Sequence, residues 1–290
     1  MKIDFKRAML WLAGISLVCL GISFFLFRQA GITPSDLGRF DSESGKGYSR
    51  RISDTMGLGN ETYESIQIKT VSVPVEVVTT LGELKAELNG NFKASNEESM
   101  PYLDVSSTDD GLFIEVKHPK GLFAGAVSTD SLLSVYIPED DLDELLIKTV
   151  SGNINVGAFE IKMANLSSVS GAINAERLSL SEGIFETSSG EIEIRSLSGR
   201  VLSKTTSGKM NIHFEKLENT VYMESISGNL NISFPENASF TLKTETVSGD
   251  LVCDRPLTIK GGKDDNLLAD IAGGGPIMEI RTVSGNMNLH

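Results

Sequence analysis

The tightest constraint on this chain is a dipeptide. Ser-Gly recurs at Ser151-Gly152, Ser170-Gly171, Ser189-Gly190, Ser207-Gly208, Ser227-Gly228, Ser248-Gly249 and Ser284-Gly285, at intervals of 19, 19, 18, 20, 21 and 36 residues. A period near 19 with two or three short strands per unit specifies a β-solenoid, in which each unit buries its apolar face only by stacking on its neighbours. The last interval is close to two periods, so one unit lacks the signature or carries an insertion. Ser198-Gly199 falls off this register and marks a different corner.

Aligned on the glycine, the next four residues read NINV, AINA, EIEI, KMNI, NLNI, DLVC and NMNL. The second and fourth are apolar almost throughout and the first and third mostly polar, the pattern of a strand with one buried face. The residue three before the glycine is always Thr or Ser: Thr149, Ser168, Thr187, Thr205, Ser225, Thr246 and Thr282. It shares parity with the apolar positions, so these hydroxyls point inward and bond to one another or to the turn. The glycine is expected to supply the backbone freedom of the corner. A β-sandwich or meander is the alternative, but it calls for Asn-Gly or Asp-Gly turns at hairpin spacing.

Upstream, Ser65 to Val77 alternates almost perfectly and reads as strand, with Pro74 suggesting an edge or bend. Gly82 to Asn89 fits either a short helix or a strand. Residues 29–60 are rich in Gly, Ser, Asp and Arg without apolar period, and read as a flexible linker. Residues 61–290 form the repeat domain.

Ala8 to Phe27 is a run of 20 residues without a charge. As a helix it spans about 30 Å, the hydrocarbon thickness of a bilayer. Lys2, Lys6 and Arg7 precede it, so residues 1–28 read as a cytoplasmic tip and a transmembrane signal anchor, with the rest extracytoplasmic. No A-x-A-like cleavage site follows, and Val18 before Cys19 does not fit a lipoprotein signal.

The net charge is −13, and the tip and anchor are themselves basic, so the exterior part is more acidic still. Nucleic acid is therefore excluded as a partner. Two cysteines, Cys19 and Cys253, make no disulfide framework. His118, His213 and His290 lie far apart without metal spacing, and each reads as a surface residue. There is no nucleophile motif or phosphate loop, so no catalytic, cofactor or metal residue is assigned. Glu191, Glu193, Arg195, Lys209 and Glu215 read as solvated strand faces with cross-rung charge pairs. Asparagine recurs at the third position after the glycine, at Asn155, Asn174, Asn211, Asn231 and Asn288, broken by Glu193 and Val252. Parity puts this row on the exterior, where stacked amides bond in a ladder. It is the candidate binding strip.

The segments TVSGNINV (149–156), SVSGAINA (168–175), SISGNLNI (225–232), TVSGDLVC (246–253) and TVSGNMNL (282–289) resemble the bacterial putative-adhesin family. So does the entry segment VYIPEDDLDELLIKTVSG (135–152). The resemblance covers roughly 63–290. It implies a right-handed β-helix, and membrane-anchored members in Gram-positive bacteria, some in Lia-type operons answering envelope stress. It carries no catalytic motif. The expectation is a non-enzymatic envelope protein presenting a β-helix to wall, glycan or envelope membrane proteins. The alternatives are an accessory of an envelope-stress response and, more remotely, a β-helix enzyme acting on polysaccharide. Leu289-His290 ends the last rung without an obvious cap, so self-association through that end is also expected.

Overall fold

The structure, a computed structural model, describes residues 48–59, 62–94, 97–109, 111–118, 127–128, 130–138, 142–263 and 266–290. The expected anchor at 8–27 and most of the expected linker lie outside these residues. No helix among the described residues is long and apolar enough to cross a membrane.

The first strands are β1 (Tyr48–Gly57), β2 (Ser65–Lys69), β3 (Val75–Thr80), β4 (Lys85–Ala94), β5 (Tyr102–Thr108), β6 (Gly111–Lys117), β7 (Val127–Ser128) and β8 (Leu132–Pro138). The repeat region holds β9 (Glu144–Thr149), β10 (Ile154–Ser168), β11 (Ile173–Thr187), β12 (Ile192–Thr205), β13 (Met210–Phe214), β14 (Val221–Ser225) and β15 (Leu230–Ser233). The chain closes with β16 (Phe240–Thr246), β17 (Leu251–Cys253), β18 (Leu257–Lys263), β19 (Asn266–Ile271), β20 (Ile277–Thr282) and β21 (Met287–Leu289). One 3-10 turn, Glu97–Ser99, is the only helical element among the described residues.

Pairing through the repeat is parallel and in register at the repeat period. Ile154 lies beside Ile173, Ile173 beside Ile192, and Ile192 beside Met210. That is a solenoid, and it excludes the sandwich or meander. Each rung is a strand before the corner and a strand after it. The strands before the corners form one wall, here the entry wall. Those after the corners form the exit wall. Between them β10, β11 and β12 bend through a short third side. The off-register Gly199 sits at such a bend with φ +121, next to a register shift, and Ser198 Oγ meets Ser179 Oγ at 3.2 Å.

Apolar residues at equal positions stack along the axis as the core. Ile154, Ile173, Ile192, Met210, Leu230 and Met287 are all fully buried, each worth about 1.5–3 kcal/mol of transfer free energy. Volumes are balanced between rungs. Phe185 stacks between Leu166 and the small Ser203, and Gly183 leaves the space its ring fills.

Each of the seven in-register Ser-Gly corners is closed the same way. The glycine N–H donates to the hydroxyl three residues earlier, at 3.0 Å for Gly152 to Thr149 and 2.9 Å for Gly285 to Thr282. These hydroxyls are inward, as parity indicated. The serine N–H donates to the corner one rung below, Ser170 to Val150 O at 2.8 Å. The glycine's role differs from the expectation. The corner glycines have no positive φ. They are required because a Cβ would meet the carbonyl oxygen of the corner below, at 1.6 Å for Gly208 on Gly190. Val73 replaces glycine in the first corner, between β2 and β3. A Cβ on Gly152 would point at the Val73 carbonyl.

The corners stack in the order 73, 152, 171, 190, 208, 228, 285, 249. The last rung in sequence, β20 and β21, is inserted beneath the one before it, β16 and β17. Leu289 and His290 are therefore internal, and the open rung expected at the C-terminus is not there. The 36-residue interval holds the hairpin β18–β19, laid antiparallel on β16. At the other end β6 and β8 flank β2 and β3 from outside, followed by antiparallel β5 on one wall and β4 then β1 on the other. Tyr48–Gly57 is thus strand, where the sequence suggests linker. Only Ile52 of its ten residues is buried, so no alternation announces it. Gly82 to Asn89 resolves to a turn and the start of β4.

Candidate functional site

The exterior of the exit wall carries the row the sequence singles out. In stacking order it reads Glu76, Asn155, Asn174, Glu193, Asn211, Asn231, Asn288, Val252. The amides form ladders. Asn174 Nδ2 donates to Asn155 Oδ1 at 2.8 Å. Asn231 Nδ2 donates to Asn211 Oδ1 at 2.7 Å, and Asn288 Nδ2 to Asn231 Oδ1 at 2.8 Å. Glu193 interrupts the row, and Asn211 turns its Nδ2 to Glu191 Oε1 instead. The structure thus brings together Asn155 with Asn174, and Asn211 with Asn231 and Asn288. All five are half-buried. An amide has two N–H donors and a carbonyl with two lone pairs, so one ladder bond on each side leaves each side chain a donor and an acceptor toward solvent.

One rung position further on, the exterior residues are Val78, Gly157, Glu176 and Arg195. Gly157 has no side chain there, and a concavity of about 380 Å³ opens over it, bounded by Glu76, Asn155, Asn174, Glu176, Glu193 and Arg195. Arg195 Nε is 3.5 Å from Glu193 Oε1. Three carboxylates and one guanidinium around two amides favour a neutral, hydroxyl-rich or cationic group over an anion. Glu76, Gly157 and Glu176 were missed as companions of the asparagine row. Their signal is weak but present, since each follows its corner by three or five residues and so faces outward. A second concavity, of about 400 Å³, lies on the short third side around Phe159, Arg177, Ser198, Glu215 and Lys216.

The remaining candidates disperse. Glu215 accepts from Ser196 Oγ at 2.9 Å, across one rung, and Lys209 is exposed. No group of three or more metal-ligating side chains occurs among the described residues. Cys253 faces inward at the end rung and is half-buried. His213 is exposed as parity indicated, and His290 Nδ1 lies 2.6 Å from Asp254 Oδ2. His118 corrects the reading of all three histidines as surface residues. Its Nε2 is buried without a partner among the described residues, and burial holds its pKa below the ordinary histidine value.

A second exterior row is made of β-branched and hydroxyl side chains. Val71, Val150, Val169, Ser188, Thr206, Ile226, Val283 and Val247 follow the inward hydroxyl at each corner and stack along the outside. Beside them on the entry wall is a charge ladder. Arg281 contacts Glu279 at 2.6 Å and Glu245 at 3.3 Å, and Lys243 contacts Glu279 at 3.0 Å.

A regular β-solenoid with an exterior amide ladder is a scaffold that presents repeated surface. The chain belongs to the Toastrack DUF4097 family, whose model matches residues 63–198 and 161–290. Among solved structures, one named a putative adhesin from Bacteroides fragilis is 15% identical, with 85% of this chain and 98% of that chain covered and a TM-score of 0.40. A putative cell adhesion protein from Clostridium sporogenes is 15% identical over 83% and 99%, with a TM-score of 0.32. One named a putative lipid binding protein, from Parabacteroides distasonis, is 16% identical over 85% and 98%, with a TM-score of 0.37. No curated protein matches the chain.

Proposed function

We propose that this chain is a non-enzymatic, membrane-anchored envelope protein whose solenoid stands outside the membrane and binds cell-wall glycan along its asparagine row. The anchor is the uncharged run Ala8 to Phe27, oriented by the basic residues before it. The observation that carries the binding reading is the amide ladder beside the Gly157 concavity. A solenoid repeats about every 4.8 Å. Outward donors and acceptors at that spacing suit a polymer that itself repeats hydroxyls along its length. The carboxylates around the concavity disfavour anionic groups.

The test is co-sedimentation of a soluble 48–290 fragment, which keeps β1, with purified wall sacculi. Saturable pelleting that survives moderate salt and weakens in Asn174→Leu is the expected result. Pelleting that vanishes with modest salt, or that Asn174→Leu leaves unchanged, overturns the assignment to this strip.

A further inference from the structure

The end of the solenoid that carries the hairpin is a step. Beyond the rung of β16 and β17 the entry wall continues for two more strands, β19 and then β18, while the exit wall stops at β17. Among the described residues β17 pairs only with β21 and β18 only with β19, so each has a free edge. The inward side chains along this step lack cover. Leu251, Cys253 and Leu257 are half-buried, and Ile259, opposite the buried Ala269, is 69% exposed. The other end is closed, since Ile52 of β1 and Leu103 of β5 are buried. Free strand edges beside exposed apolar side chains mark an interaction surface.

We propose that two copies of this chain dock through this step about a two-fold axis, the hairpin of each filling the notch beyond β17 of the other. The axis lies perpendicular to the solenoid, meets the line of corners beyond Gly249, and exchanges entry and exit walls. One wall then runs β17, followed by β18, β19 and β16 of the partner. The other runs β16, β19, β18, followed by β17 of the partner. Both walls set the two end rungs three strand spacings apart, so no strand is forced into another's place. The directions also agree. β18 runs with β16 toward the corner and β17 runs away from it, so the new pairs are antiparallel. Pairing β17 with β17 of a second copy fails, because the two overhanging hairpins would collide.

The corner fixes the register. Thr246 and Gly249 flank it symmetrically, joined by the Gly249 N–H bond to Thr246 Oγ1. Counting outward, Leu251 is level with Thr244 and Cys253 with Leu242. Through β19, Ile259 is level with Leu242 as well. Cys253 therefore meets the partner's Ile259, both inward. On the outside, Val252 and the partner's Leu268 flank the partner's Gly261, which puts no side chain between them. Val252, Ile259 and Leu268, all exposed in the single chain, are covered together. Asp254 falls beside the partner's Thr258, next to the partner's Lys260, so the nearest charges are opposite. A two-fold contact closes on itself, so assembly stops at two chains.

Cys253 and residue 259 of the partner are close enough for a disulfide between neighbouring strands. The experiment uses the full chain in its membranes with Cys19→Ser and Ile259→Cys, under a mild oxidant. A covalent dimer without higher species is expected on a non-reducing gel, and adding Cys253→Ser should remove it. Monomer alone overturns the proposal. So does a ladder beyond the dimer, a dimer that survives Cys253→Ser, or an equal dimer when Lys209→Cys, at a mid-body corner, replaces Ile259→Cys. A second measurement needs no engineered cysteine. Sedimentation of the full chain in detergent should show mass rising with concentration from one chain to two and no further. Ile259→Asp should hold it at one chain while keeping the parent's circular dichroism spectrum, because residue 259 is already exposed in the single chain. One chain at every concentration in the parent, or two chains in Ile259→Asp, overturns the proposal.

Discussion

A Cβ on Gly171 would lie 1.9 Å from the carbonyl oxygen of Gly152, one rung below. The same relation recurs at every Ser-Gly corner. Gly171→Ala must therefore push two rungs apart, and overpacking of this kind costs about 3 kcal/mol or more. Thermal melting by circular dichroism should show a fall of roughly 6–12 °C in Tm. Gly57→Ala, where nothing lies within 4 Å, should melt like the parent.

Thr205 holds the next kind of corner contact. It is buried, and its Oγ1 accepts from Gly208 N at 3.0 Å. Thr205→Val keeps the shape and strands a buried N–H, which costs about 1–3 kcal/mol. Thr205→Ser should recover most of that, since Ser168 and Ser225 serve the same role at their corners, at 2.8 and 2.9 Å. Urea titration of the parent and the two variants separates these outcomes. A loss in Thr205→Ser with none in Thr205→Val would mean that packing of the methyl group, not the hydrogen bond, holds the corner.

Much of this architecture is legible in the chain itself. The period, the inward hydroxyls and the amide ladder all follow from parity around the glycine, because a parallel solenoid puts equal positions in contact. The rung order is not legible. TVSGDLVC and TVSGNMNL satisfy the same pattern, so either could sit on Gly228. The choice is made by the β18–β19 hairpin, which must reach back along β16. β1 was hidden for another reason. An edge strand with a single buried residue, Ile52, has no alternation to read. The concavity depended on Gly157, whose significance is an absent side chain beside the row.

Asn231 sits in the middle of the longer amide ladder, donating to Asn211 and accepting from Asn288. Asn231→Ala removes both bonds on an exterior, half-hydrated face, so the expected loss is about 1 kcal/mol. Chemical denaturation measures it. A loss several times larger would make this row a stabilising spine rather than a surface free for ligand.

Tyr222 gives the entry wall a spectroscopic marker. Burial, then the neighbouring Glu224 carboxylate, pushes its phenol up to about 12 from an ordinary value near 10. A raised folded value means that the stability contributed is complete below about pH 10 and is lost as pH climbs through the folded value. Ultraviolet titration should therefore show one of the five tyrosines ionising late. Tyr222→Phe should abolish that late phase.

Asp270 locks the hairpin that sets the rung order. It projects outward from β19, with Lys260 Nζ at 2.5 Å and Thr241 Oγ1 at 2.9 Å, beneath the turn formed by Ala272, Gly273 and Gly274. A Cβ on Gly274 would sit 2.7 Å from the carboxylate, so the turn closes directly on it. The Lys260 hydrogen bond, with help from Thr241, holds the carboxyl below its ordinary range although burial opposes this. A depressed folded value makes its contribution complete above the unfolded value near pH 4 and lost as pH falls through the folded one. Asp270→Asn should therefore melt below the parent at pH 7, and the gap should narrow as the solution is acidified. Hydrogen exchange at pH 7 should quicken first in β18 and β19. Equal melting of Asp270→Asn and the parent at pH 7 would show that the side chain's shape, which Asn shares, and not its charge, holds the turn.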